Sequence, residues 1–326
     1  MPRVRRVRSM ARGQRTPEAR EKGWWLVRMA TTPSWRRLAR QPAFLAALFI
    51  APALILRLFT SIYPFLATVY LSLTDTSAFR PTPRFIGLQN YVLFGTDFQL
   101  RQAVTFTILY VVLSTALELV LGMALALLLN APFRLRQAAR SINLIPWVIP
   151  AIVTALGFRF MFDTDVGIIP DILGHIGVHI SWLTDPRGAQ AATIIANVWR
   201  STPFVALIIL AGLQGIPTEI YEAARVDGAG PLRILWQMII PLVTPLLVTM
   251  GIFLLIWQLG AFDIILGMTG GGPGSATMVL SYLAYQQAFI GLSFGYASAI
   301  SMVLFLCVLV VGIVALALFR RLEVSL

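Results

Sequence analysis

Long runs of apolar residues are the feature that most limits what this chain can fold into. Several runs reach roughly 20 residues, and a helix of that length crosses about 30 Å, the hydrocarbon thickness of a bilayer. The whole chain agrees, because 58% of its residues are apolar and 12% are charged. The runs lack the period-two alternation of strands in a membrane barrel. The sequence therefore predicts an all-α membrane protein.

Six of these runs are predicted to be transmembrane helices. Segments that are polar or rich in glycine and proline separate them. A further apolar stretch at 276–292 is too short to span a bilayer and carries tyrosines and glutamines, so we expect a periplasmic amphipathic segment there. The predicted spans are 43–66 (continuing as helix to about 73), 103–129, 141–162, 191–213, 242–266 and 297–319.

The basic residues indicate on which side of the membrane each loop lies. Twelve of the 26 Lys and Arg residues fall between Arg3 and Arg40, before the first predicted span. Because Lys and Arg accumulate in cytoplasmic segments, both termini are predicted to be cytoplasmic. The predicted regions are a basic tail at 1–42, a six-helix domain at 43–320 and a C-terminus at 321–326. The loops predicted to be periplasmic hold only four basic residues: Arg80, Arg84, Arg101 and Arg187.

Composition argues against several other classes of function. The net charge of +12 is concentrated in the tail, where it suits anionic headgroups, and no nucleic-acid-binding motif accompanies it. Cys307 is the single cysteine, and His175 and His179 are the two histidines, so a metal site is not expected. Gly174 and Gly177 argue against a helix that would place both histidines on one face. Without nucleotide-binding or hydrolase motifs, the chain is predicted not to be an enzyme.

The loop between the fourth and fifth predicted spans, at about 214–241, contains a short helix with both ends marked. Thr218 follows Pro217 and is predicted to cap the N-terminus. Gly228 is predicted to end the helix in the left-handed conformation, and Pro231 to begin another. Such a helix outside the membrane is either an ordinary connector or a knob that fits a socket on another protein.

The composition of this helix favours the second interpretation. Glu219 and Glu222 lie near the positive N-terminal end of the helix dipole. Ala223 and Ala224 predict a low face that the backbone of another protein can approach closely.

This loop resembles the EAA loop of the permease subunits of ATP-binding-cassette (ABC) importers. The Glu-Ala-Ala sequence at 222–224, three further residues and Gly228 match its first half, and Asp-Gly-Ala at 227–229 is the form typical of the sugar branch. The sequence Met-Ile-Ile-Pro at 238–241 keeps the proline of the second half. Segments 85–91, 145–150 and 266–274 are also similar to that family, and the last resembles the maltose-type first subunit.

The resemblance implies the six-helix fold of type I ABC importer permeases and a sugar as substrate, in particular a di- or oligosaccharide such as maltose or trehalose. It implies a second permease subunit, two ATPase subunits and an extracytoplasmic solute-binding protein as partners. ATP and Mg would be bound by the ATPase, and no cofactor by this chain. The residues implied to couple the chain to the ATPase are Glu219, Glu222, Ala223, Ala224, Asp227 and Gly228.

The resemblance also implies a substrate path along the fourth and fifth spans. A sugar path needs hydrogen-bonding groups and flat apolar faces inside the helix bundle. Some of these residues have a structural alternative, since Phe204 suits helix packing and Ser201 suits carbonyl groups freed by Pro203. The implied path residues are Asn197, Arg200, Ser201 and Phe204, with Leu254, Trp257, Gln258 and Ala261.

Two charged residues remain inside the predicted spans. Arg57 and Glu118 both lie on the order of 15–20 Å from the cytoplasmic ends of their helices, counted at ~1.5 Å per residue. We therefore predict a structural ion pair between the first and second spans, in preference to a proton relay.

Three other classes of function remain open at this point. An intramembrane protease or acyltransferase needs a histidine inside the spans, whereas both histidines lie in an outer loop. An ion-driven transporter needs acidic residues near a broken helix, where only Glu118 qualifies, with Asp263 at the end of a span. An ABC importer permease for glycerol phosphate or another small solute would share all the motifs, because one fold serves many substrates.

Overall fold

The computed structural model describes residues 42–323 and divides the chain into two units after Phe65. Helix α1 (Pro42–Arg57) lies in the first unit and continues into a π-helical turn at Leu58–Ile62 and then into α2 (Tyr63–Ser72), which extends past Phe65. The predicted basic tail before Pro42 and the residues at 324–326 lie outside the described part.

The second unit consists of helices joined by irregular segments, and within residues 42–323 the only β-type pairings are two isolated bridges. A 3₁₀ turn at Leu93–Gly95 follows α3, and a π-helical turn at Leu235–Ile239 precedes α12. The helices are α3 (Gln89–Val92), α4 (Phe98–Asn130), α5 (Arg136–Asn143), α6 (Ile145–Val148), α7 (Ala151–Met161), α8 (Ile168–His175), α9 (Pro186–Gln214), α10 (Thr218–Val226), α11 (Pro231–Ile234), α12 (Ile240–Gly260), α13 (Asp263–Met268), α14 (Leu280–Phe289) and α15 (Phe294–Glu323).

The two most deeply buried spans, α4 and α9, each begin after an aspartate that caps the helix. Asp97 precedes α4, and its carboxylate accepts a hydrogen bond from the Leu100 amide at 3.1 Å. Asp185 precedes α9 and accepts from the Gly188 amide at 2.8 Å, with Pro186 in the first helical position. These caps satisfy amide groups that have no partner inside the helix, and so they fix where each helix begins.

Five helical segments in the described residues are long and apolar enough to cross a bilayer, and a bent pair provides a sixth. The five segments together with the bent pair confirm the six predicted spans. The segment predicted to lie outside the membrane forms the ten-residue α14, which is not among them. The five segments are Leu48–Ser72, Phe98–Asn130, Pro186–Gln214, Pro231–Gly260 and Phe294–Ala317.

The third span differs from the continuous helix predicted over 141–162. Its two halves, Arg136–Val148 and Ala151–Met161, meet at 88°. Pro150 explains the break, because proline has no amide hydrogen and disfavours helical geometry at the residue before it. Ile149 is accordingly extended, with φ −65° and ψ 130°.

The fifth span also ends earlier than predicted. Helix α12 stops at Gly260, whereas the prediction extended to 266. Ala261 is extended (φ −75°, ψ 130°), and α13 begins at Asp263 as a separate helix. The Ser281 hydroxyl donates to the carbonyl oxygen of Ala261 at 3.0 Å, which satisfies one backbone group at the break.

Helices α4 and α9 pack along each other at the centre of the second unit, and α12 packs against both. Near the C-terminal ends of α4 and α9, Leu129, Leu210 and Leu213 form a core cluster with Ala224 of α10. We call this end of the second unit the α10 end. At the opposite end, Leu100 and Ile194 pack with residues of α13, α14 and α15.

A buried asparagine anchors the segment before α4. Asn90, 5% exposed, donates both amide hydrogens to backbone carbonyl oxygens, to Ser72 at 2.8 Å and to Thr74 at 2.9 Å. Tyr91, in the same predicted 85–91 motif, adds a second contact with the end of α2, because its hydroxyl donates to the Ser72 hydroxyl at 2.9 Å.

Replacing Asn90 with aspartate is expected to destabilise this segment by about 2 kcal/mol, because a buried carboxylate would face two carbonyl oxygens and have no hydrogen to donate. Thermal unfolding of the purified protein in detergent measures the effect. The control is Gln89→Glu, an equivalent change at the exposed neighbouring position. Equal melting temperatures for the two variants would contradict the anchoring role.

Candidate functional site

The predicted loop helix is present as α10, Thr218–Val226. The prediction that Thr218 caps it was wrong. Pro217 occupies the N-cap position, with φ −57° and ψ 139°, and no side chain caps the helix. The extended ψ of Pro217 starts the helix one residue earlier than predicted, so Thr218 is already its first residue.

The C-terminal end of α10 is formed as predicted. Gly228 adopts φ +74°, in the left-handed region. Its amide donates to the Arg225 carbonyl oxygen at 3.0 Å, and the Ala229 amide donates to that of Ala224 at 2.9 Å. These two bonds form a Schellman motif, which glycine adopts without strain. As predicted, Pro231 then begins the next helix.

The α10 surface presents most of the predicted coupling residues to solvent. Glu219, Glu222, Ala223, Asp227 and Gly228 are all exposed. The prediction that Ala224 shares an exposed low face with Ala223 was wrong, because Ala224 is 4% exposed and belongs to the core.

Burial holds α10 in place on the second unit. Tyr221 packs with Ala224 against the core cluster at the α10 end, and Ala229 packs there too. Burial also raises the pKa of the Tyr221 phenol above its ordinary value. One side of α10 is therefore fixed by its own chain, and the acidic side remains free for contact.

A cavity of about 280 Å³ lies between the two helix breaks described above. Asn197 and Arg200 of α9 line one part of it. Ala151, directly after the break at Pro150, and Ala261, at the break after α12, line other parts. The remaining lining residues are Trp257, Gly260, Asp263 and Ile264.

Four of the eight predicted path residues thus meet at one cavity: Asn197, Arg200, Trp257 and Ala261. The other four do not line it. Ser201 and Leu254 are buried at 9% and 3% exposure. Phe204 stacks on Trp147, with 4.9 Å between ring centroids, in agreement with the helix-packing alternative.

Arg200 has a structural contact as well as a place in the cavity. Its Nε donates to the carbonyl oxygen of Ile149 at 3.4 Å, which ties α9 to the break in the third span. Asp263 brings a negative charge to the same cavity. The path residues implied by the resemblance did not include Asp263.

Gln258, the eighth path residue, points away from the cavity lining and toward Glu118. Glu118 is fully buried, and its Oε1 accepts hydrogen bonds from Gln258 Nε2 at 2.8 Å and from Asn197 Nδ2 at 3.1 Å. The side chains of α4, α9 and α12 therefore meet in one polar cluster. Pairing of Glu118 with Arg57, which lies in the other unit, stays a prediction.

The two histidines lie apart from this cluster. As predicted, the two histidines do not share a helix: α8 includes Gly174 but ends at His175, Gly177 has φ +78°, and His179 lies beyond the helix. His175 Nδ1 is 2.8 Å from the carbonyl oxygen of Asp171. Among the described residues, no group of three or more His, Cys, Asp or Glu side chains is placed to hold a metal ion.

Solved structures with a similar fold are membrane transporters. A chain of a bacterial alginate ABC transporter, solved with an alginate-pentasaccharide-bound periplasmic protein, superposes with a TM-score of 0.76 at 22% identity, covering 89% of this chain and 98% of that one. The likeness shows a shared fold.

Sequence relatives extend over nearly the same length. The chain is 40% identical over 290 residues to the trehalose/maltose transport system permease protein MalF of Thermococcus litoralis, covering 87% of this chain and 97% of the relative. It is 38% identical over 291 residues to the sulfoquinovosyl glycerol transport system permease protein SmoG of Agrobacterium fabrum, covering 88% and 94%. Residues 118–324, well over half of the chain, match the family of binding-protein-dependent transport system inner membrane components, and the chain belongs to that family of multi-pass inner-membrane proteins.

Proposed function

We propose that this chain is one of two permease subunits of an ATP-driven importer that receives a sugar from a solute-binding protein. The observation that carries the proposal is the cavity between two helix breaks, on the same bundle as an exposed acidic helix. Unwound backbone inside a membrane is tolerated where it lines a cavity, and such breaks are typical of substrate sites in transporters.

The cavity suits a polyhydroxylated substrate. It combines a flat aromatic face, Trp257, with the polar groups of Asn197, Arg200 and Asp263. Sugars offer both apolar ring faces and hydroxyl groups, which such a lining can match. A relative named for trehalose and maltose supports a di- or oligosaccharide as cargo. Since about 280 Å³ is small for such a cargo, the second permease is proposed to contribute the rest of the path.

The exposed face of α10 is proposed to be the coupling helix. Glu219, Glu222, Ala223, Asp227 and Gly228 would enter a groove of an ATPase subunit on the cytoplasmic side, with Ala224 supporting them from beneath. ATP and Mg would be bound by that subunit. Closure of two ATPases biases the permeases between inward- and outward-facing states only if the α10 contacts differ between those states.

An anionic solute such as glycerol phosphate is the second candidate. Arg200 in the cavity favours it, and a relative in Yersinia pestis, 29% identical over 287 residues, is named an sn-glycerol-3-phosphate permease. Asp263 in the same cavity offsets that positive charge. We therefore favour a neutral sugar.

Isolation of the chain from its native membrane in mild detergent, followed by mass spectrometry, tests the proposal. We expect a second six-span permease, an ATPase and a solute-binding protein to be recovered with it. The ligand of the binding protein would then distinguish a neutral sugar from an anionic solute. Recovery of the chain alone, where a known transporter complex survives the same treatment, would contradict the proposal and favour an ion-driven carrier.

A further inference from the structure

Glu118 connects two residues of the proposed substrate path that the chain places on different helices. Its Oε1 accepts from the amide nitrogens of Asn197 on α9 and Gln258 on α12. All three side chains are nearly or fully inaccessible, at 0%, 4% and 2% exposure. The cluster therefore lies inside the bundle, where each hydrogen bond decides which atoms remain available.

An amide side chain has a donor end and an acceptor end, and its surroundings decide which way each end points. A carboxylate or carboxyl oxygen that accepts from the NH₂ group holds that end toward itself. For Asn197 and Gln258, the carbonyl oxygens are then left for other donors. The Gln258 Oε1 has no hydrogen-bond partner in the described protein, although it is buried.

The charge surroundings agree with a positioning role. Between residues 66 and 317, the ion pairs formed are Arg80 with Asp75 and His175 with Asp171, so Glu118 is not bound to a cation there. A carboxyl group placed in a membrane bundle with only amide partners is costly, and such groups are usually functional. Asn197, one of the two amides that Glu118 holds, also lines the cavity.

We infer that Glu118 is a specificity-determining positioning residue. Held by Gln258 on α12, it turns the amide of Asn197 so that the Asn197 carbonyl oxygen accepts a hydrogen bond from a hydroxyl group of a polyhydroxylated substrate in the cavity. This inference rests on the proposed function. Glu118 thereby adds a residue of α4 to a path otherwise attributed to α9 and α12, and the group of the substrate that is recognised is a hydroxyl.

The test uses the full complex in liposomes, with ATP inside and the binding protein outside. Uptake of the transported sugar is compared with uptake of analogues that lack one hydroxyl group, each normalised to assembled complex. Glu118→Leu is expected to reduce discrimination between sugar and analogue about tenfold, because the Asn197 amide loses its orientation. Glu118→Gln keeps an acceptor oxygen, and its discrimination between sugar and analogue is expected to stay within about threefold of that of the unmodified complex.

Thr115→Val is the matched control, since Thr115 is buried on the same helix one turn earlier and its hydroxyl has no partner. It is expected to discriminate as the unmodified complex does. The effects of Glu118→Leu and Gln258→Leu are expected to be strongly non-additive, because each substitution removes the same hydrogen bond, the one between Gln258 and Glu118. A purely structural role would lower complex yield and uptake of every substrate alike, without changing their ratio.

Unchanged discrimination in Glu118→Leu would overturn the inference and leave the proposed sugar importer standing. If Glu118→Leu fails to assemble, Glu118→Gln decides, because loss of discrimination in that assembled variant would show that an acceptor oxygen is not what matters. If the unmodified complex takes up no sugar at all, both the proposed function and this inference are overturned.

Discussion

Replacing Gly228 with valine is expected to lower ATP-driven uptake by about tenfold or more, while insertion and the amount of chain in the membrane stay the same. Gly228 has φ +74°, and a residue with a side chain costs about 1–2 kcal/mol there, more when it is β-branched. No atom lies within 4 Å of the position that its Cβ would take, so the change would not disturb the core of the chain. The strain and the new side chain act on the exposed surface proposed to contact the ATPase.

Two variants separate this effect from simple bulk in the loop. Gly230→Val adds the same side chain two residues later, where φ is −72° and the surroundings are equally open, and it is expected to transport normally. Gly228→Asn is expected to retain more uptake than Gly228→Val, because asparagine tolerates the left-handed region. Sugar uptake into liposomes and ATP hydrolysis are both measured for each of the three variants. Normal uptake by Gly228→Val would contradict the coupling role.

Replacing Gly267 with valine is expected to destabilise the second unit by about 3 kcal/mol. Helices α7 and α13 cross at this residue, and a Cβ there would lie 2.5 Å from the Cβ of Ala155 and 3.0 Å from Ile152 Cδ1. Because the Ala155 Cβ is attached directly to the backbone, the two helices would have to move apart, and overpacking of this kind is destabilising. The same two helices carry cavity residues Ala151 and Asp263.

Thermal unfolding in detergent, followed by size-exclusion chromatography, measures this effect. Gly157→Val is the control on α7, because no atom lies within 4 Å of its added Cβ. The pair Gly267→Ala with Ala155→Gly moves one methyl group across the crossing and is expected to recover most of the stability lost in Gly267→Ala alone. Equal melting temperatures for Gly267→Val and Gly157→Val would show that the helices do not cross this closely.

Features that depend on local chemistry were predictable from the sequence. The spans follow from runs of apolar residues, and the end of α10 follows from Gly228 and Pro231, because left-handed backbone and proline geometry are local preferences. The same reasoning placed the cap on Thr218, one residue too late, because threonine is a preferred N-cap residue, whereas Pro217 holds that position without a side-chain cap.

Features that depend on contacts between distant residues were not predictable in the same way. Glu118 was recognised as an unusual charge inside a span, but its contacts with Asn197 and Gln258 join residues 79 and 140 positions away. Ala224 was assigned to an exposed face because its burial is decided by α4 and α9 and cannot be read from its own helix. The cavity likewise required two helix breaks that pack side by side.

The bend in the third span has a local cause in the sequence. Pro150 lies in the middle of the run predicted as one helix, and the residue before a proline disfavours helical geometry. The 88° bend that results places Ala151 at the cavity and the Ile149 carbonyl oxygen within reach of Arg200. The break at Pro150 and the break after α12 together therefore determine where the proposed path lies.

Uptake of labelled trehalose or maltose into liposomes is the most direct test of the proposed importer. The liposomes contain this chain with its partner permease and ATPase subunits, and the solute-binding protein is added outside. We predict accumulation of sugar that requires both ATP inside the liposomes and the binding protein outside. Accumulation driven by an ion gradient without ATP, or no uptake of sugar by a fully assembled complex, would contradict it.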